Sequence, residues 1–188
     1  MKKEKFYSAF GILTAAFSEM EADLRMLISG LAFGNNSVVA SAFLDSSQLN
    51  ENLRILKKLS RQYRDEENHI LDIISTIGQI RETRNLFIHG IWHPGSFAES
   101  NGLATVTDLK TSYNEEDNAK RSWLHSQTLK FSICDFQKIL DSVYEIEEKI
   151  EKLCDRLSSD NGIEFTQGGC TITFKPNIFN IEDISSKL

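Results

Sequence analysis

Apolar residues recur at intervals of three and four along most of this chain, which is the pattern of helices that bury one face. Between Glu4 and Phe33 the stripe runs through Phe6, Phe10, Leu13, Phe17, Met20, Leu24, Leu27, Ile28 and Leu31 and predicts one long helix ended at Gly34-Asn35-Asn36. A short helix follows over Val38–Leu44, with Asp45-Ser46-Ser47 as an N-cap cluster for a third helix from about Gln48 to Tyr63. Leu49, Leu53, Leu56 and Leu59 face inward on that third helix. A fourth helix from about Asp65 to Ile88 places Ile70, Ile73, Ile74, Ile77, Ile80 and Phe87 at apolar positions. A last one, about Ile133 to Leu157, buries Phe136, Leu140, Val143, Ile146, Ile150 and Leu153.

The period changes between the fourth and last helices. Residues 91–131 hold Pro94, Gly95 and a Ser100-Asn101-Gly102 triplet, then LATVTDLKTS and a second alternating run from Trp123 to Phe131. Alternation with β-branched residues predicts two or three inserted strands. In the tail, IEFTQ and CTITF flank Gly168-Gly169, a pair suited to a type I′ turn because both positions accept positive φ. Two strands alone are marginal, so this hairpin is expected to join the inserted strands or a partner chain. The expected architecture is mainly α: an antiparallel bundle of four to five helices with an inserted antiparallel sheet. Residues 1–158 would form the helical domain and 159–188 the hairpin and tail, packed on that domain or on a partner.

At 188 residues the chain suits one domain with a sizeable core. The net charge of -6 argues against coating nucleic acid by bulk electrostatics but leaves room for a local basic site. No apolar run reaches the roughly 18 residues of a membrane span, and Ser18, Glu19 and Glu21 interrupt any signal-peptide core. Cys134, Cys154 and Cys170 are widely spaced, with no CxxC pair, so the expected setting is a reducing cytoplasm without disulfides or a zinc site. No metal or other cofactor is implied by any motif.

Candidate chemistry concentrates at RETRNLFIHGIW, residues 81–92. On a helix ended by Gly90 as its C′ residue, Arg81, Asn85 and His89 share one stripe, and Arg84 lies about 60° to the other side of Arg81. Histidine can transfer a proton, arginine offers a planar cation for a phosphate, and an amide one turn before the histidine can orient its ring. Arg and His near a helix end also simply cap carbonyls. The third helix adds RILKKLSRQYR, with Arg54, Lys57, Lys58, Arg61 and Arg64 and no acid among them. Antiparallel packing of the third and fourth helices would set Arg84 and His89 nearest to residues 48–54, so this basic face is expected to guide RNA rather than touch the reacting phosphate.

Other groups carry less. Glu19, Glu21 and Asp23 at this density read as a solvated helix face rather than a metal site. His69 and His125 are isolated, His93 is a secondary contact at most, and Trp92 reads as core rather than as a base-stacking platform.

RNLFIHG resembles the Arg-x4-6-His motif of the HEPN superfamily, in which a polar residue commonly follows the arginine. The order of a long first helix with FSEMEADL, a helical pair, the motif at a helix end, strands and a final helix is similar to that family over about residues 5–157. The resemblance implies a metal-independent endoribonuclease whose active site forms where two protomers bring their motifs together. Arg84 and His89 would be the catalytic pair, Asn85 the supporting polar residue, and Arg81, Arg54, Lys57, Lys58 and Arg61 RNA contacts. It also implies a homodimer, a toxin or phage-defence setting and a nucleotidyltransferase-like antitoxin. Some members lack nuclease activity, so the alternative is an RNA-binding or dimerisation module.

Overall fold

The computed structural model describes residues 3–34, 37–93, 103–113, 121–161, 163, 165–167 and 170–171. Its elements are α1 (Lys3–Phe33), α2 (Ser37–Leu44), α3 (Leu49–Ser60), α4 (Glu67–His89), β1 (Ile91–His93), β2 (Ala104–Tyr113), β3 (Arg121–Phe131), α5 (Ile133–Asn161), β4 (Thr166–Gln167) and β5 (Cys170–Thr171). The protein is mainly helical with a small three-stranded antiparallel sheet inserted between α4 and α5, as the periodicity predicts. No helix among the described residues is long and apolar enough to cross a membrane. The chain divides into two compact units, the first within Met1–Ala15 and Arg81–Leu140, the second within Ala16–Ile80 and Asp141–Ile178.

In the first unit the sheet has the order β1-β2-β3, all antiparallel, with Trp92 opposite Val106 and Val106 opposite Leu129. Alternation sends Ala104 and Val106 to one face, where both are fully buried. They meet an aromatic core in which Trp92 lies 4.7 Å from Phe87, 5.4 Å from Phe10 and 5.6 Å from Phe6 between ring centroids, with Phe131 and Phe136 at 5.8 Å. Trp92 is thus a packing residue. A register shift between Asp108 and Leu109 marks a bulge in the β2–β3 ladder. α5 opens with a capping box. Ser132 Oγ accepts from the Asp135 N–H at 3.2 Å, and Asp135 Oδ2 accepts from the Ser132 N–H at 2.8 Å. The Ser132 N–H, and next its hydroxyl donating to Asp135 Oδ2 at 2.7 Å, hold the Asp135 carboxyl below its ordinary pKa.

The second unit buries the remaining stripes: Phe17, Met20, Leu24 and Leu27 of α1, Leu56 of α3, Ile70, Ile73 and Ile77 of α4, and Val143, Ile146, Ile150 and Leu153 of α5. α1 stops where expected. Gly34 takes a φ of 54°, its N–H donates to the Gly30 carbonyl at 3.2 Å, and Tyr63 Oη donates to the Leu31 carbonyl at 2.8 Å. The start of α3 departs from expectation. Its N-cap is Gln48, which makes no side-chain cap bond. Ser47 is instead drawn to the Leu44 carbonyl (2.7 Å) and to Asn52 Oδ1 (2.6 Å), so the Asp45-Ser46-Ser47 cluster does not cap the helix. α4 and α5 are joined by ion pairs from Lys149 to Asp72 at 3.0 Å and from Arg156 to Glu66 at 3.2 Å.

β4 and β5 pair as an antiparallel hairpin, Thr166 opposite Thr171 and Gln167 opposite Cys170. Among the described residues they form a two-stranded sheet of their own and do not join the inserted strands. Its entry is anchored instead by Phe165, buried against Gly30 so closely that a Cβ there would overlap the ring. The Gly168-Gly169 turn, the Pro94-Gly95 and Ser100–Gly102 loop signals and the end of the tail lie outside the described residues, as do the side chains of Trp123 and His125.

Candidate active site at the end of α4

α4 is a continuous helix to His89, so its last turns must satisfy carbonyls that have no later helical N–H. Two partners come from the next four residues. The Gly90 N–H donates to the Leu86 carbonyl at 2.8 Å, and the Trp92 indole donates to the Phe87 carbonyl at 3.2 Å. The tryptophan therefore caps the helix with its polar edge while its rings fill the core.

Gly90 does not adopt the left-handed conformation expected of a C′ glycine; among the described glycines Gly34 alone has positive φ. It is required by close approach. A Cβ at position 90 would overlap the Leu86 carbonyl oxygen and lie 2.5 Å from Val106 Cγ2. The inserted sheet is thereby seated directly on the end of α4.

The candidate residues occupy the outer side of this end. Phe87 is buried, Arg81 and Arg84 are half-buried, and Asn85 and His89 are exposed. Arg84 Nη1 donates to Asn85 Oδ1 at 3.0 Å. The amide expected to orient His89 is held by the arginine within one chain. Among the described residues His89 makes no side-chain hydrogen bond or ion pair, so its ring nitrogens are open to a ligand. Ile88 and Ile91, both exposed, flank it with apolar surface. His93, on β1, lies 3.3 Å from Thr107 Oγ1.

The basic residues of α3 belong to the second unit. Lys57, Lys58 and Arg61 are exposed. Arg54 is not a free cation: Glu51, one turn earlier, takes its Nε at 2.8 Å and pairs with Nη2, lowering the Glu51 carboxyl pKa.

One cluster escaped the sequence reading. Asp23 is not part of a solvated face. Burial first, then Glu19 and Glu151, push its carboxyl up to about 7. Glu147 of α5 is likewise raised to about 7 by burial, Asp23 and Glu19. The available signal was positional, since each acid sits among apolar stripe residues, Asp23 beside Leu24 and Glu147 beside Ile146. Among the described residues no group of three or more His, Cys, Asp or Glu is arranged to hold a metal ion. No family model, curated protein or solved structure matches the chain.

Proposed function

We propose that this protein is an endoribonuclease of the HEPN type that cleaves RNA without a metal ion, through Arg84, Asn85 and His89. The observation that carries the reading is the end of α4, where an exposed, unengaged histidine stands one turn beyond an arginine–asparagine pair on a helix seated against a rigid aromatic core. In the proposed reaction a histidine takes the proton of the RNA 2′-hydroxyl, and the 2′-oxygen attacks the adjacent phosphorus. Arg84 stabilises the phosphorane charge. A second proton donor protonates the departing 5′-oxygen, leaving a 2′,3′-cyclic phosphate and a 5′-hydroxyl.

One chain offers one histidine at this place, and Arg84 and His89 are about 140° apart around the helix axis. A two-fold pair of chains supplies two histidines and two arginines to one groove. Exposed Ile88 and Ile91 beside His89 support such a dimer, since association there would remove apolar surface from water. Arg81, Lys57, Lys58 and Arg61 are the proposed RNA contacts. The proposed setting is a toxin–antitoxin pair or phage defence, with a nucleotidyltransferase-like protein as antitoxin.

The test is cleavage of single-stranded RNA in excess chelator by wild type beside His89→Ala, both verified as folded dimers by sedimentation. Loss of the proton-transfer group should lower the rate by roughly 10²–10⁴-fold. RNA with a 2′-methoxy group at the cut site should resist. Equal rates in the two proteins, or no cleavage over a broad RNA panel, would defeat the reading and favour a binding module.

A further inference from the structure

α1 carries Asp23 between buried Met20, Leu24 and Leu27, and α5 carries Glu147 between buried Val143, Ile146 and Ile150. Both carboxyls belong to the second unit and sit at the margin of its apolar seam. Glu19 lies one turn before Asp23, and Glu151 one turn after Glu147, on the same helix faces. The charges that bear on Asp23 are Glu19 and Glu151, and those that bear on Glu147 are Asp23 and Glu19. All are acids.

The neighbouring cations are directed elsewhere. Lys149 binds Glu145 at 2.8 Å, Asp72 at 3.0 Å and Thr76 at 3.0 Å, and Lys152 pairs with Glu148. Arg156 is paired with Glu66, which also takes His69. Arg25, two residues beyond Asp23, lies about 200° around the helix. Buried Cys154 feels Asp23 but is itself pushed up to about 12 by burial, so it stays neutral.

Glu147 Oε1 is sealed from solvent and has no hydrogen-bond donor among the described residues. An ionised oxygen in that position, among like charges, is costly to bury. A proton on either carboxyl removes one charge and creates an O–H donor. We propose that the α1–α5 seam is a proton-operated latch, in which Asp23 and Glu147, walled by Glu19 and Glu151, grip the two helices together only while the set holds a proton.

The sign follows from the direction of the shifts. Both carboxyls titrate higher in the folded chain than when unfolded, so their stabilising contribution is complete below pH about 4 and is lost as pH rises through about 7. The titration belongs to the pair rather than to either residue. Each proton retained by the fold makes the folding constant fall by up to about tenfold per pH unit within that window. Acidification from neutrality tightens the seam and alkalinisation loosens it.

The test is denaturant unfolding of the full chain from pH 5 to pH 8.5 for wild type, Glu147→Gln, Asp23→Asn and the double variant. Gln and Asn keep the shape, remove the charge and bring a donor. Wild type should lose at least tenfold in its folding constant across the range. Either single variant should lose markedly less, and the double variant should show no remaining loss from this source. A flat wild-type profile, or an undiminished fall in the double variant, overturns the latch. Should the variants not fold, carbon-13 titration of the wild-type carboxyls decides: a midpoint near 7 for either Asp23 or Glu147 supports it, and midpoints below 5 for both refute it.

Discussion

Gly90→Ala isolates the contact that seats the inserted sheet on α4. A Cβ at this position overlaps the Leu86 carbonyl oxygen, approaches Val106 Cγ2 to 2.5 Å and Leu86 Cδ1 to 3.3 Å. Ordinary contacts begin near 3.4 Å, so both of the first two contacts must open by close to an ångström. Neither yields easily. The Leu86 oxygen accepts the Gly90 N–H at 2.8 Å, and Val106 is fully buried between Trp92 and Leu129 in the sheet register. Overpacking of this kind costs about 1–3 kcal/mol. The smaller conformational freedom of alanine in the unfolded chain offsets about 0.4–1 kcal/mol. A net loss of roughly 1–2 kcal/mol remains, which for a chain of this size lowers the melting temperature by about 2–8 °C. Thermal unfolding followed by circular dichroism reads it directly. Gly90→Asn separates close approach from a left-handed cap, because asparagine is the best replacement for glycine at a cap and no better than alanine against a clash. Val106→Ala in the Gly90→Ala background should recover part of the loss and give a non-zero coupling energy. Alanine or asparagine variants as stable as wild type would refute the seating argument.

Two further substitutions probe the same helix end. Trp92→Phe keeps most of the aromatic packing but removes the donor to the Phe87 carbonyl, and should cost about 1 kcal/mol or more in denaturant unfolding. Under the nuclease reading, Asn85→Ala removes one acceptor of the Arg84 guanidinium and should lower kcat with little change in KM, whereas Asn85→Asp keeps that acceptor and restores most of the rate. Failure of aspartate to rescue would mean that the amide acts elsewhere, for instance on the histidine of a partner chain.

The helices were legible because their apolar residues obey one period over many turns. In α5 every stripe position from Phe136 to Leu153 is fully buried. Its final turn, Ser158–Asn161, carries no apolar signal, so the reading stopped at Leu157, four residues early. The strands were legible from alternation as two or three inserted segments, but the pairing of Ala104–Tyr113 with Arg121–Phe131 is set by side chains of both segments together and was not. Features that depend on a distant segment were not. Gly90 read as a helix terminator because the approach of Val106, 16 positions later, leaves no local trace. The Asp23–Glu147 cluster needed two helices more than a hundred positions apart to be placed side by side. The site shows both cases. Its placement on one helix followed from spacing, while the Arg84–Asn85 bond joins adjacent residues whose Cβ directions differ by about 100°, and only the long arginine arm closes that angle.

The end of α4 divides its labour by direction, and that division decides which experiments are clean. Phe87 packs against the rings of Phe10, Trp92, Phe131 and Phe136, and Gly90 and Trp92 complete the helix end from below. Substituting any of these three disturbs the fold before it disturbs any chemistry. Asn85 and His89 point the other way, into solvent, and His89 supports no other group among the described residues. Substitutions at exposed positions without partners usually change stability by no more than about 0.5 kcal/mol. His89→Ala should therefore unfold within that margin of wild type while carrying the whole predicted loss of cleavage. That combination, an unchanged denaturation midpoint beside a rate lower by two or more orders of magnitude, assigns the loss to chemistry. A His89→Ala protein destabilised by several kcal/mol would place the imidazole in the packing of the helix end, and the exposed-histidine argument for a nuclease would fall with it.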